Sequence, residues 1–156
     1  MKRSTAWMRV LTIAAALAIG VGITSPAYAT TTRDGCTVVP KAPYHNGTYT
    51  GTGDKWINYD VDITCSAGRS IQLVMDRMEE DYGLNADDFI GMSDTIRTFT
   101  SSSTWTWSIT GVLPDNDGTF DHYSEMYLQV GFQVTVNGVP GVWTNWDKGP
   151  VQSIHV

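Results

Sequence analysis

Histidine, cysteine and basic residues are scarce in this chain, and each shortage closes off a class of function. Only ten Lys and Arg stand against sixteen Asp and Glu in 156 residues, a formal net charge of −6. A phosphate backbone needs a basic face, so this balance argues against nucleic acid as a partner. The histidines are His45, His122 and His155, and the two cysteines have no histidine beside them in zinc-ligand spacing, so no metal is expected. No G-x-S-x-G, H-E-x-x-H, phosphate-loop or dinucleotide fingerprint occurs, and no catalytic residue or cofactor is expected. Charged residues make up only 17%, but the apolar fraction of 42% is enough for a core and argues against wholesale disorder. The length allows one domain.

The start of the chain reads as an address. Lys2, Arg3 and Arg9 precede an apolar run from Val10 to Ile23, and Ala27 and Ala29 form an A-x-A cleavage site. This is the pattern of a secretory signal peptide over residues 1–29, short for a membrane span and closed by a cleavage site. No later stretch is long and apolar enough to span a bilayer, so the expected product is secreted, extracellular and without membrane attachment. Removal of residues 1–29 leaves seven basic against sixteen acidic residues, a formal −9, which disfavours adsorption to anionic lipid or teichoic acid. In an oxidising compartment the pair Cys36 and Cys65 reads as a disulfide. It would close a loop of about 30 residues, worth about 3–4 kcal/mol in the chain-entropy account.

Period-2 alternation dominates the remainder. Ile57, Tyr59, Val61, Ile63 and Cys65 fall on one face of a strand, and Ile71, Leu73 and Met75 on one face of the next. With Ser66-Ala67-Gly68 as the turn, Lys55–Cys65 and Arg69–Met78 read as a hairpin. Cys36 to Pro40 reads as a first strand, at an edge because of the proline. Residues 41–53 read as turns, including the sequon Asn46-Gly47-Thr48. Thr95 to Ser101 and Thr104 to Thr110 are β-prone. The longest alternation places Met126, Leu128, Val130, Phe132, Val134 and Val136 on one face. Asn137-Gly138 follows, the favoured pair for a type I′ turn, with Val139–Trp146 returning antiparallel and Val151–Val156 adding a last strand. The expectation is an all-β fold: an antiparallel immunoglobulin-like β-sandwich over residues 36–156 with one disulfide, or alternatively a small β-barrel. Residues 30–35 read as a flexible N-terminal tail. Residues 79–94, acidic and interleaved with Leu84, Phe89, Ile90 and Met92, fit a loop or one short helical turn equally.

Several residue groups bear on function. Asp121, His122 and Ser124 are the nearest approach to a serine triad, but neighbours in a strand point to opposite faces. Glu79, Glu80, Asp87, Asp88 and Glu125 supply carboxylates for a glycosidase pair, yet an acidic loop is ordinarily a solvated face and 127 residues are few for a glycosidase cleft. Asp115-Asn116-Asp117-Gly118 starts like a calcium loop, but Thr119 and Met126 stand where ligands are needed. The aromatics point elsewhere. Trp143 and Trp146 are three apart, so in a regular strand they face opposite ways and one is exposed, which favours a binding surface.

Cys36-Thr37-Val38, Pro40 and Pro43-Tyr44, with a second cysteine closing a small all-β domain, resemble a group of small secreted actinobacterial proteins. Within that group the chain resembles the adaptor subunits of the umbrella toxin particles of Streptomyces. The resemblance implies a non-catalytic β-sandwich joining two extracellular protein subunits. One carries lectin domains and a degenerate trypsin-like domain; the other is a large repeat-containing toxin subunit. On this reading the tail, with Thr31, Thr32, Arg33 and Asp34, is donated as an extended segment, and Arg33 is the anchor for a trypsin-like cleft. Two other functions compete. A lectin-like domain would stack glycan on Trp143 or Trp146 beside Asn145 and Asp147. A protease inhibitor would present Arg33 or Lys41 near the disulfide.

Overall fold

The computed structural model describes residues 30–81, 86–113 and 123–155. The leader, the 115–118 turn and the Asp121-His122 pair therefore lie outside the described residues. Within them the chain is all-β, and its eleven strands form two antiparallel sheets.

The first sheet contains β1 (Thr31–Arg33), β2 (Cys36–Pro40), β3 (Tyr44–Tyr49), β4 (Lys55–Cys65) and β7 (Ser103–Val112). β7 runs along one edge of β4 from Trp56↔Val112 to Cys65↔Ser103, while β2 and β3 share the other edge. The second sheet contains β5 (Arg69–Glu79), β6 (Asp88–Phe99), β8 (Tyr123–Val136), β9 (Val139–Pro140), β10 (Asp147–Lys148) and β11 (Gln152–His155). β5 lies between β6 and β8, and β9, β10 and β11 share the far edge of β8.

The alternation translates directly into packing. Ile57, Tyr59, Val61 and Ile63 of β4, Ile71, Leu73 and Met75 of β5, and Met126, Leu128, Val130, Phe132 and Val134 of β8 form one core with Trp107 and Phe99. Cys36 and Cys65 stand directly opposite each other on β2 and β4, with Cα atoms 4.1 Å apart, and are bonded. The disulfide is buried in that core but joins neighbouring strands of one sheet, not the two sheets.

The structure corrects four sequence expectations. β4 and β5 are not a hairpin: residues 66–68 carry the chain from one sheet to the other, so the apolar faces of the two strands meet across the core. Alternation reports which face of a strand is buried, not which strand lies beside it. β2 is not an edge strand, because β1 covers it as far as Val38 and only Val39 and Pro40 lie beyond that pairing. Residues 88–94 are strand, the start of β6, in place of the expected loop or helical turn. Residues 31–33 are not a free tail: Thr31↔Val38, Thr32↔Thr37 and Arg33↔Cys36 make a hairpin. Its turn is Asp34-Gly35, with φ of 48° and 82°, the two positive angles of a type I′ turn. Asn137-Gly138, with φ of 51° and 80°, makes the corresponding turn between β8 and β9 as expected.

Candidate functional site: a bulged aromatic corner

The segment after the Asn137-Gly138 turn returns along β8, but irregularly. Gly141 N donates to Val134 O (2.8 Å), Thr144 N to Phe132 O (2.8 Å), and Asp147 pairs with Val130. Between each successive pair, three residues of the returning segment oppose two of β8. Two β-bulges result, and bulges re-aim side chains. The first releases Val142 and Trp143, the second Asn145 and Trp146. The parity argument fails here for this reason: the bulge between the tryptophans restores them to one side. Both rings are exposed, at 41% and 50%, where a regular strand would expose one.

Trp146 lies on the outer surface of the second sheet above Gly131. A Cβ at Gly131 would stand 3.6–3.7 Å from three atoms of the Trp146 ring. That is ordinary van der Waals distance, so a methyl would fit beneath the ring and a larger side chain would displace it. With Val74, Met92 and Thr144, the two tryptophans line a shallow apolar trough. Strand register places Asp94 beside Val74, Met92 beside Asp76, and Ile96 beside Gln72. Met92 and Ile96 are 61% and 66% exposed. The outer face of β6 therefore carries apolar side chains next to acidic ones.

Trp143 also borders a second, polar groove of about 300 Å³, lined by Thr31, Thr32, Arg33, Trp143, Thr144, Asn145 and Asp147. Here the edge of the first sheet meets the edge of the second. Arg33 Nη1 donates to Val142 O and to Trp143 O, both at 2.9 Å, and so holds the bulged segment to β1. Asp34 Oδ2 and Val134 O stand 3.1 and 2.9 Å from where a Cβ of Gly141 would be, so only glycine fits that close approach. Thr31, Thr32, Arg33, Asp34, Trp143 and Trp146, chosen from two distant stretches of sequence, thus come together at one corner.

Arg33 is turned inward on this corner, where the trypsin-cleft reading needs it outward. Lys41, the other inhibitor candidate, is paired with Asp62 at 2.7 Å. A donated-tail mode would require β1 to leave β2 and Arg33 to leave two carbonyls. Among the carboxylates considered for catalysis, Asp87 accepts from Tyr127 Oη (2.6 Å), which holds its carboxyl below the ordinary range. Glu80 is paired with Lys148 at 2.6 Å, and that ammonium sits 3.8 Å from the Tyr127 ring centre. These groups pin the acidic segment to the outer face of β8.

The outer face of the first sheet is a contrast. It carries a ladder of satisfied polar pairs: Thr64–Thr104 at 2.8 Å, Thr106 to Asp62 at 2.7 Å, and Thr110 to Asn58 at 3.1 Å. Exposed apolar groups stand at the margins of that ladder, at Tyr44 and Val112, whereas the outer face of the second sheet gathers Trp143, Trp146 and Met92 around one trough. The alternation places Gly131 on the face of β8 away from the core, but no signal in the sequence marks Met92 and Ile96 as surface residues, because each reads alone as core. No protein-family model matches the chain, and no curated protein is significantly similar to it.

Proposed function

We propose that this protein is a secreted, non-enzymatic interaction module, an adaptor or structural subunit of an extracellular, toxin-like complex. The observation that carries the reading is the asymmetry of the two outer faces. A polar ladder runs along the middle of one, with Tyr44 and Val112 exposed at its margins; the other gathers Trp143, Trp146, Val74, Met92 and Ile96 with Asp76 and Asp94 among them. Apolar anchors ringed by charge of one sign suit a protein partner with an apolar patch and a basic rim. The leader pattern and the disulfide support an extracellular setting.

The test is affinity purification of the tagged mature chain from its native culture medium, beside a Met92→Asp/Ile96→Asp variant. Secreted protein subunits recovered in fixed proportion with the native chain and lost with the variant would support the reading. Recovery of the bait alone, or of the same proteins with both chains, would overturn it.

A further inference from the structure

We propose that the polar groove between β1 and the bulged segment 141–147 is a separate binding site for a neutral pyranose glycan, with one sugar ring on Trp143. The site adjoins the apolar face assigned to a protein partner and shares Trp143 and Thr144 with it.

The argument rests on the groove's chemistry. A pyranose presents an apolar face of C–H groups and a rim of hydroxyls that both donate and accept. Its site needs an exposed aromatic face beside mixed polar groups. Trp143 supplies the face at the groove wall. Asn145 brings an amide with two donors and an acceptor, and Thr31 and Thr144 bring hydroxyls. Thr144 Oγ1 accepts from Phe132 N at 3.0 Å and keeps its own proton to give. Asp147 lines the same groove, and its Oδ2 has no hydrogen-bond partner among the described residues. That oxygen is buried, so the carboxylate meets a sugar hydroxyl by turning about its soft terminal torsion, which brings an unpartnered oxygen to the groove.

The same inventory excludes the alternatives. The lining holds one cation, Arg33, with Nη1 committed to two backbone carbonyls, and one anion, Asp147, so the groove offers no net positive charge to select uronates or phosphorylated sugars. An ammonium group would satisfy Asp147 but offers no acceptor to Asn145 and Thr144 and no apolar ring face to Trp143, which a pyranose supplies together.

The groove is also built and held. Two bulges place Trp143 and Asn145, Arg33 fixes the backbone carbonyls of residues 142 and 143, and Gly141 permits the close approach of Asp34. A site whose walls are fixed before the ligand arrives loses less entropy on binding.

The experiment titrates the mature chain with chitohexaose, cellohexaose and mannohexaose, following heat and tryptophan fluorescence, with polygalacturonate and hexalysine as charged controls. The expected result is saturable binding of at least one neutral hexasaccharide, little affected by salt. Asn145→Ala and Asp147→Asn should each weaken it about tenfold, and Trp143→Ala should abolish it. The Met92→Asp/Ile96→Asp variant, which tests the protein partner, should bind the sugar unchanged, so the two readings fail separately. The inference is overturned if none of the three neutral sugars binds, if only a charged control binds, or if Asp147→Asn and Trp143→Ala both leave the affinity intact.

Discussion

Replacement of Tyr59 by phenylalanine should stabilise this protein, against the usual direction for a core substitution. Tyr59 is fully buried at the centre of β4, and its hydroxyl has no hydrogen-bond partner among the described residues. A buried polar group left unpaired costs about 1–3 kcal/mol. Tyr59→Phe removes that group and keeps the ring, including the Arg77 guanidinium 5.8 Å from its centre. The gain expected at pH 8 is about 1 kcal/mol, reduced from the full penalty because the small void left by the oxygen is itself unfavourable. The same burial pushes the Tyr59 phenol up to about 12 from 10.0, opposed by Arg77 and reinforced by Glu79. The folded chain therefore keeps a proton that the unfolded chain releases near pH 10. Stability must fall as pH rises from 10 to 12, by about 2–3 kcal/mol from this group. The phenylalanine variant lacks that contribution. Urea unfolding at pH 8 and at pH 11 measures both effects, and the advantage of the variant should grow with pH. A loss of more than about 1 kcal/mol at pH 8, or an identical alkaline decline in both proteins, would refute the reasoning.

Three further outcomes follow from the geometry. Gly35→Ala should destabilise by about 1–2 kcal/mol in denaturant unfolding, because φ is +82° and Ser66 Oγ and Arg69 Nε already stand 3.2 and 3.3 Å from the new methyl. Gly131→Val should lift the Trp146 ring off β8, read as a red shift of tryptophan emission with near-native cooperativity of unfolding, whereas Gly131→Ala should leave the spectrum unchanged. The Asp62 carboxyl is held below its ordinary 3.8, first by the hydrogen bond from Lys41 and then by that from Thr106. Its contribution to stability is therefore present above pH 3.8 and lost as pH falls through its lower folded value, so Asp62→Asn should flatten the acid limb of a stability profile.

Much of the fold was legible because burial imposes a period. β4, β5 and β8 keep apolar residues on alternate positions, and Asn137-Gly138 and the cysteine pair declare their own geometry. β6 was obscured because its pattern is inverted: Met92 and Ile96 face outward while Ser93, Thr95 and Arg97 occupy the alternate positions. Arg97 instead packs its guanidinium 4.4 Å from the Trp105 ring centre, closing the edge between β6 and β7. β1 had a usable signal in Asp34-Gly35, the same type of turn pair that marked β8 and β9. The pairing of β4 with β7 and of β5 with β6 and β8 was not legible, since alternation carries no information on neighbours. At the candidate site, residues 31–34 and the two tryptophans could be picked out separately by type. Their meeting depends on two bulges and on Arg33 reaching across more than a hundred residues, which no local pattern records.

The central claim is that the outer face of the second sheet is covered in the protein's working state. Oxidative footprinting tests it most directly, comparing the purified mature chain with the same chain in its native culture medium. Met92 and Trp146, 61% and 50% exposed, should be protected in the medium, while Tyr49, 57% exposed on the first sheet, should react equally in both. Equal oxidation of Met92 and Trp146 in the two settings would contradict the account.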